Sequence, residues 1–155
     1  MWIRQYAYFS LRSRSVPASE ITARLGLEPD EVLVRGSRSV EPPRPVLHNW
    51  QITCREPGLA VDEQIARVVA RLLPLAAEVR HVAADLRSVD GEQGGARLQV
   101  VRHLDAEDGE PEEAVAVGGL TKLPGQHQLL GWHLDRATLA FLHLVGADLD
   151  VDEYS

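Results

Sequence analysis

The stretch DEQIARVVARLLPLAAEVRHVAADL, residues 62–86, decides the fold class. Ile65, Val68, Val69, Leu72, Ala76, Val79, Ala83 and Leu86 recur in it at helical spacings, which puts them on one face of an α-helix. Pro74 lies inside the run. Proline has no N–H to donate and collides with the preceding turn, at about 3 kcal/mol or more in a helix interior. The spacing therefore predicts a kink at Pro74 or two helices in succession. An apolar face of this length needs a surface to pack on, and the flanking segments supply one because they carry the period of a strand.

On the N-terminal side, Asn49 to Arg55 alternates, with Trp50, Ile52 and Cys54 on one face. Ile3 to Leu11 does the same. Ile3, Ala7, Phe9 and Leu11 share a face with Gln5 as the exception, and Trp2, Arg4, Tyr6, Tyr8 and Ser10 share the other. Aromatics on both faces predict a central or well-covered strand. Between these two strands, Val16 to Gly26 reads as a short helix. Pro17 suits the first helical position, Glu20 favours the helix dipole, and Gly26 suits the left-handed C-terminal position. Val32 to Val34 is a brief strand. Ser37 to Leu47 contains Pro42, Pro43 and Pro45 and reads as an exposed loop.

On the C-terminal side, Gly91 to Gly95 is a turn. Leu98, Val100, Arg102 and Leu104 form one face of a further strand, and Asp105 to Glu113 is an acidic loop. Ala114 to Val117 reads as a short strand, Gly118 to Gly125 as a glycine-rich loop, and Gln128 to Trp132 as extended. Asp135 then caps a helix, with Leu134 packing on Leu139 as a hydrophobic staple. Leu139, Leu142 and Val145 face inward and Gly146 ends the helix. Ala147, Leu149 and Val151 alternate with Asp148, Asp150 and Asp152 in a last strand.

The order is β-α-β-β-α-β-β-α-β, a single α+β domain over residues 1–155. A mainly antiparallel sheet with helices on one face would bury these patterns. The two ends rhyme, a short helix closed by glycine beside a strand, which admits a duplicated ferredoxin-like arrangement. Trp50, Ile65, Leu72 and Leu139 are expected in the core. Residues 37–47 and 105–125 are expected to be the least ordered.

Composition narrows the function classes. Hydrophobic residues make up 45% and charged residues 25%, so the chain can bury a core without a metal or a disulfide. Its one cysteine, Cys54, can form neither an internal disulfide nor a cysteine-based zinc site. Nothing resembles a targeting segment or a run of about 20 apolar residues, so the expected address is the cytoplasm. The formal net charge of −7 argues against general nucleic-acid binding. The charge is uneven: residues 1–47 carry +2 and the remainder −9.

Ile21-Thr22, then Leu25-Gly26-Leu27-Glu28-Pro29, then Arg35-Gly36, then Trp50 opening a strand, follow one another in a recognisable order. With the C-terminal stretch Leu134 to Tyr154, they resemble the bacterial domain-of-unknown-function family numbered 4279. The resemblance implies an α+β fold and a small bacterial protein. It implies no activity and carries over no catalytic residue.

Each candidate site has a plain structural reading beside it. Asp148, Asp150 and Asp152 have the oxygen chemistry for a hard cation, but on a strand they form the usual solvated row. His127 and His133 would share a strand face without a zinc-ligand spacing. Cys54 with His48 as base has the composition of a nucleophilic pair, yet a lone cysteine beside Trp50 and Ile52 is ordinarily a buried hydrophobe. No Gly-x-Ser-x-Gly elbow and no phosphate-binding glycine loop is present. No catalytic residue, metal or cofactor is assigned.

The remaining constellation is arginine. Arg12 and Arg14 follow the first strand, and Arg35 and Arg38 follow the second. If those strand ends converge, the guanidinium groups would suit a phosphate, a carboxylate or a protein partner. The plain reading is a solvated basic edge. Two functions follow. One is a non-catalytic binding or interaction module, of the immunity type or forming a homodimer. The other is a small enzyme or ligand sensor acting on an anionic metabolite at the arginines.

Overall fold

The computed structural model describes residues 2–111 and 130–155. The first strand, β1 (Trp2–Ser13), leads into α1 (Ala18–Leu25) and β2 (Glu31–Leu33). A small hairpin of β3 (Ser39–Val40) and β4 (Pro43–Arg44) precedes β5 (His48–Cys54). Next come α2 (Val61–Leu72), a 3₁₀ turn at Leu73–Leu75, and α3 (Ala76–Asp90). After β6 (Gly95–Leu104) and β7 (Glu110–Pro111), α4 (Arg136–Val145) and β8 (Asp148–Tyr154) complete the described chain. Pro74 thus divides two helices, as the 62–86 pattern predicts. The proline-rich segment holds a hairpin where only loop is expected. The expected strand 114–117, the glycine-rich loop 118–125, the end of the acidic loop at 112–113 and the first two residues of the extended segment 128–132 lie outside the described residues, and residues 130–132 are not part of a strand.

The main sheet runs β2-β5-β1-β6-β8, with β7 pairing beside the start of β1. All neighbours are antiparallel except β6 and β8, which are parallel. Over residues 2–104 this is the strand order of one ferredoxin-like split β-α-β unit. α4 and β8 add a further helix and strand beside it. No helix among the described residues is long and apolar enough to cross a membrane.

Strand alternation divides the two faces of the sheet. Phe9, Leu11, Trp50, Ile52, Leu98 and Val100 form one core cluster with the buried residues of the helices. Trp50, Ile65 and Leu72 are buried, and Trp50 also donates from its indole nitrogen to Thr22 Oγ1 at 3.1 Å. Cys54 lies in the same cluster. Gln5, the exception in the β1 pattern, is buried and satisfied. Its amide donates to the Leu59 carbonyl at 3.0 Å, and its side-chain oxygen accepts from Arg102 at 3.2 Å.

Two local expectations are corrected. Leu139 is half exposed and not in the core, while Thr138, Phe141, Leu142 and Val145 are the buried residues of α4. At about 100° per residue, Leu139 sits on the flank of that face, so the proposed staple with Leu134 has no buried partner. Asp135 does cap the helix, accepting from Thr138 N at 2.7 Å. Pro17 is the residue preceding α1 and not its first helical residue. Its missing N–H is still not needed there.

Two carboxylates tie distant segments together. Asp90, at the end of α3, accepts from Ser13 Oγ at 2.5 Å, Arg14 N at 3.0 Å and Ser15 Oγ at 3.0 Å, so it holds the turn after β1. Asp30 accepts from Thr53 N at 2.7 Å and from Arg71 at 2.5 Å, joining the segment before β2 to β5 and α2. Desolvation pushes both carboxyls upward, but these hydrogen bonds outweigh it and hold both below their ordinary value of 3.8. Below that value the unfolded chain therefore takes up protons more readily than the folded one. The stability from these groups is complete above the ordinary value and is lost as pH falls through the lower folded values. We expect the melting temperature to fall in that acid window. An Asp30→Asn, Asp90→Asn double variant should start lower at neutral pH and show a shallower acid slope. An unchanged slope in a calorimetric pH series would refute this.

Candidate functional site

The face of the sheet away from the helical core carries the other alternation of each strand. Strand register arranges it in rows. Leu33, Asn49 and Arg12 form one row, and Gln51, Ser10, Arg97 and Asp148 the next. Thr53, Tyr8, Gln99 and Asp150 form the third. Strand partners directly opposite bring their Cβ atoms within about 5.5 Å, so each row is a set of touching neighbours.

A cavity of about 240 Å³ lies over these rows. Tyr8, Ser10, Arg12, Asn49, Arg97 and Gln99 line its floor. Leu33 and the segment Pro45, Val46 and Leu47 supply an apolar wall. The base of the β3–β4 hairpin, which carries Pro45 of this wall, is closed by Gly36 N donating to the Pro45 carbonyl at 2.9 Å and Arg38 N donating to the Arg44 carbonyl at 2.8 Å.

Four polar atoms of this lining are buried without a hydrogen-bond partner among the described residues: Ser10 Oγ, Arg12 Nε, Asn49 Oδ1 and Arg97 Nε. Ser10 is only 1% exposed. Buried polar groups are normally satisfied, because an unmet donor or acceptor costs about 1–3 kcal/mol. Four of them border one cavity, so whatever fills that cavity, solvent or ligand, must supply their partners.

The charges are unequal. Arg97 pairs with Asp150 at 3.2 Å. Arg12 has no carboxylate within ion-pair distance among the described residues. Burial, and then the neighbouring charge of Arg97, push the Arg12 guanidinium below its ordinary pKa, with Asp148, Tyr8 and Asp150 opposing. Burial is also the first cause raising the Tyr8 phenol, followed by Tyr6. The two tyrosine rings stack with centroids 6.2 Å apart, and Arg55 lies 3.7 Å from the Tyr6 ring centre. An aromatic and cationic stripe therefore leads along β1 into the cavity.

The four arginines singled out in the sequence are distributed. Arg12 lies in this cavity with Arg97. Arg14 and Arg35 line a second depression with Ser15, Val89 and Asp90. Arg35 also lines a hollow of about 640 Å³ formed by the hairpin with Gly36, Val40 and Glu41. Arg38 belongs to the hairpin. β5 separates β1 from β2, so the two strands are not paired, and of the four arginines only Arg14 and Arg35 meet, in that second depression.

Arg97, Ser10 and Asn49 were not singled out by sequence. They fall on polar alternations that ordinarily mean solvent, and no spacing links three strands so far apart along the chain. The larger hollows near Arg35 have more volume, but each offers only one unpartnered buried atom, Arg35 Nε.

The other candidates resolve into structure. Asp150 and Asp152 are engaged by Arg97 and Gln99, and Asp148 lies 3.6 Å from Arg87. Two of the three are thus ion-paired and the third accepts from an amide, so their row is not merely a solvated one. Cys54 and His48 stand at opposite ends of β5, about 20 Å apart at strand rise, and His48 Nδ1 accepts from Arg35 N at 3.1 Å. His127 is outside the described residues. His133 is exposed and lies 3.0 Å from Asp62. Among the described residues no three His, Cys, Asp or Glu side chains are grouped to hold a metal ion.

The model of a family described as a domain of unknown function (DUF4279) matches residues 3–155. No curated protein and no solved structure matches the chain.

Proposed function

The chain belongs to the DUF4279 family, whose description assigns no function, and from the geometry of its open sheet face we propose that it is a non-catalytic binding module for a small anionic ligand. The observation that carries this reading is the set of four unpartnered polar atoms around the cavity of about 240 Å³. Two of them are guanidinium Nε–H groups, which donate only and match an oxyanion. The cavity is slightly below the usual range for drug-sized ligands, roughly 300–1,000 Å³, so it suits a small molecule better than a protein surface. Among the described residues nothing in it pairs a nucleophile with a base within hydrogen-bond reach, which favours binding over chemistry. The alternative, a small enzyme acting on an anionic metabolite, would use the same arginines, but among the described residues no base is hydrogen-bonded to the Ser10 hydroxyl on the cavity floor.

The test is calorimetric titration of the full chain with small anions at constant ionic strength, beside Arg12→Gln. A saturable anion should bind the parent with one site and bind Arg12→Gln at least tenfold more weakly, since a charge-assisted hydrogen bond is worth about 1.5–3 kcal/mol. Equal affinities for the two proteins would overturn the reading. Reproducible turnover of a bound anion would replace it with the enzymatic one.

A further inference from the structure

The unpaired charge, the polar floor and the apolar wall together define the ligand more narrowly. We infer that the site selects a small monocarboxylate with a flat or branched apolar body, held by its carboxylate between Arg12 and Arg97. This inference rests on the binding reading above and names its ligand class.

Charge count is the first argument. Arg97 is already offset by Asp150, and Arg12 is the guanidinium left over, so the cavity has an excess of about one positive charge. Asp148 and Asp150 occupy the rows directly beyond Arg97 and Gln99. A second negative charge on the ligand would find no further cation to offset it and would meet the field of these two carboxylates in the neighbouring rows. A monoanion matches the excess and a phosphate dianion exceeds it.

Donor geometry is the second argument. The two free guanidinium nitrogens come from adjacent rows on neighbouring strands, Arg12 on β1 and Arg97 on β6. A carboxylate presents two oxygens and can receive one such donor on each. The Ser10 hydroxyl lies directly opposite Arg97 in the register and can donate to the same group. The Asn49 amide, opposite Arg12, can meet a polar substituent on the ligand.

The wall is the third argument. Leu33, Pro45, Val46 and Leu47 are useless to a bare inorganic anion but cover apolar carbon. Burying such carbon contributes about 25 cal/mol per Å². The site therefore rewards a ligand with a charged end and an apolar body.

The experiment uses the full chain and four probes at matched ionic strength: benzoate, acetate, inorganic phosphate and benzamide. Benzoate supplies both ends, acetate the carboxylate alone, phosphate the extra charge, and benzamide the ring without charge. Benzoate should raise the melting temperature saturably and bind at least tenfold more tightly than any of the other three. Leu47→Ser should weaken benzoate more than acetate, and Arg12→Gln should abolish both.

Ser10→Ala supplies a readout that needs no ligand. It removes an unmet buried hydroxyl, so it should raise the melting temperature of the free protein while weakening benzoate. A variant that only damaged the fold would lower both. Arg12→Lys serves as a second probe if Arg12→Gln does not fold, and should weaken benzoate by losing the Nε donor while keeping the charge.

Phosphate binding at the cavity as tightly as benzoate, with the same loss on Arg12→Gln, would overturn the monocarboxylate inference and leave the anion-binding reading standing. Benzamide equal to benzoate would overturn the role of charge in both. No binding by any of the three anions would remove both.

Discussion

Replacing Trp50 by alanine should cost about 3–5 kcal/mol of stability and lower the melting temperature by roughly 10 °C or more. Trp50 has no exposed surface and stands on β5 at the centre of the cluster formed by the sheet and the helices. Its removal opens the largest void a single side chain can leave, and the surrounding strands are pinned on both sides by their ladders. They cannot close the gap by moving together. The indole N–H also satisfies Thr22 Oγ1, so α1 loses a link to the sheet at the same time. The control is Leu139→Ala, whose side chain is half exposed and whose loss should stay within about 0.5 kcal/mol. Urea unfolding followed by far-ultraviolet circular dichroism distinguishes the two. Similar costs for both variants would mean that the sheet–helix core is not where the buried surface places it.

Gly94→Ala should destabilise by about 1–3 kcal/mol or more, through collision and not through backbone strain. Gly94 has φ of −100° and ψ of 165°, which any residue can adopt. A Cβ there, however, would stand 2.3 Å from the Leu86 carbonyl oxygen and 2.9 Å from Asp90 Cβ. The nearest of these atoms is helix backbone, so relief requires α3 to move relative to the start of β6. That movement would disturb Asp90, which organises Ser13, Arg14 and Ser15 after β1. The effect should therefore be less than additive with Asp90→Asn in a double-mutant cycle, because each substitution weakens the same junction. Full additivity in urea unfolding would show that the turn after β1 and the end of α3 are independent.

Some parts of this architecture were legible because burial imposes a period. The 62–86 stretch can bury its apolar residues only as helix, and β1, β5 and β6 can bury theirs only as strands. The break at Pro74 follows from one missing donor and one clash. Asp135 and Gly146 mark the ends of α4 for equally local reasons. Leu139 was misplaced because a helical pattern defines an arc, and where the neighbouring elements cut that arc is not contained in the helix itself. Here Phe141, two residues further on, occupies the centre against Phe9.

The site was far less legible. Arg12 belonged to the sequence-level set, but its companions there are Arg14, Arg35 and Arg38, all close to it along the chain. Its companions in the structure are Ser10, Asn49 and Arg97, drawn from three strands. Sequence alone determined the longer helices and strands, most of their buried faces and the family resemblance, since these depend on neighbours three or four residues apart, or two in a strand, whereas the short pairs β3–β4 and β7 and the place of Leu139 escaped it. Which polar face lies open, which strand borders which, and the register that sets Ser10 opposite Arg97 and Arg12 opposite Asn49 were decided only by tertiary structure. Pairing between strands dozens of residues apart is a property of the whole assembled core, and a shift of one residue would have turned each of these side chains to the opposite face.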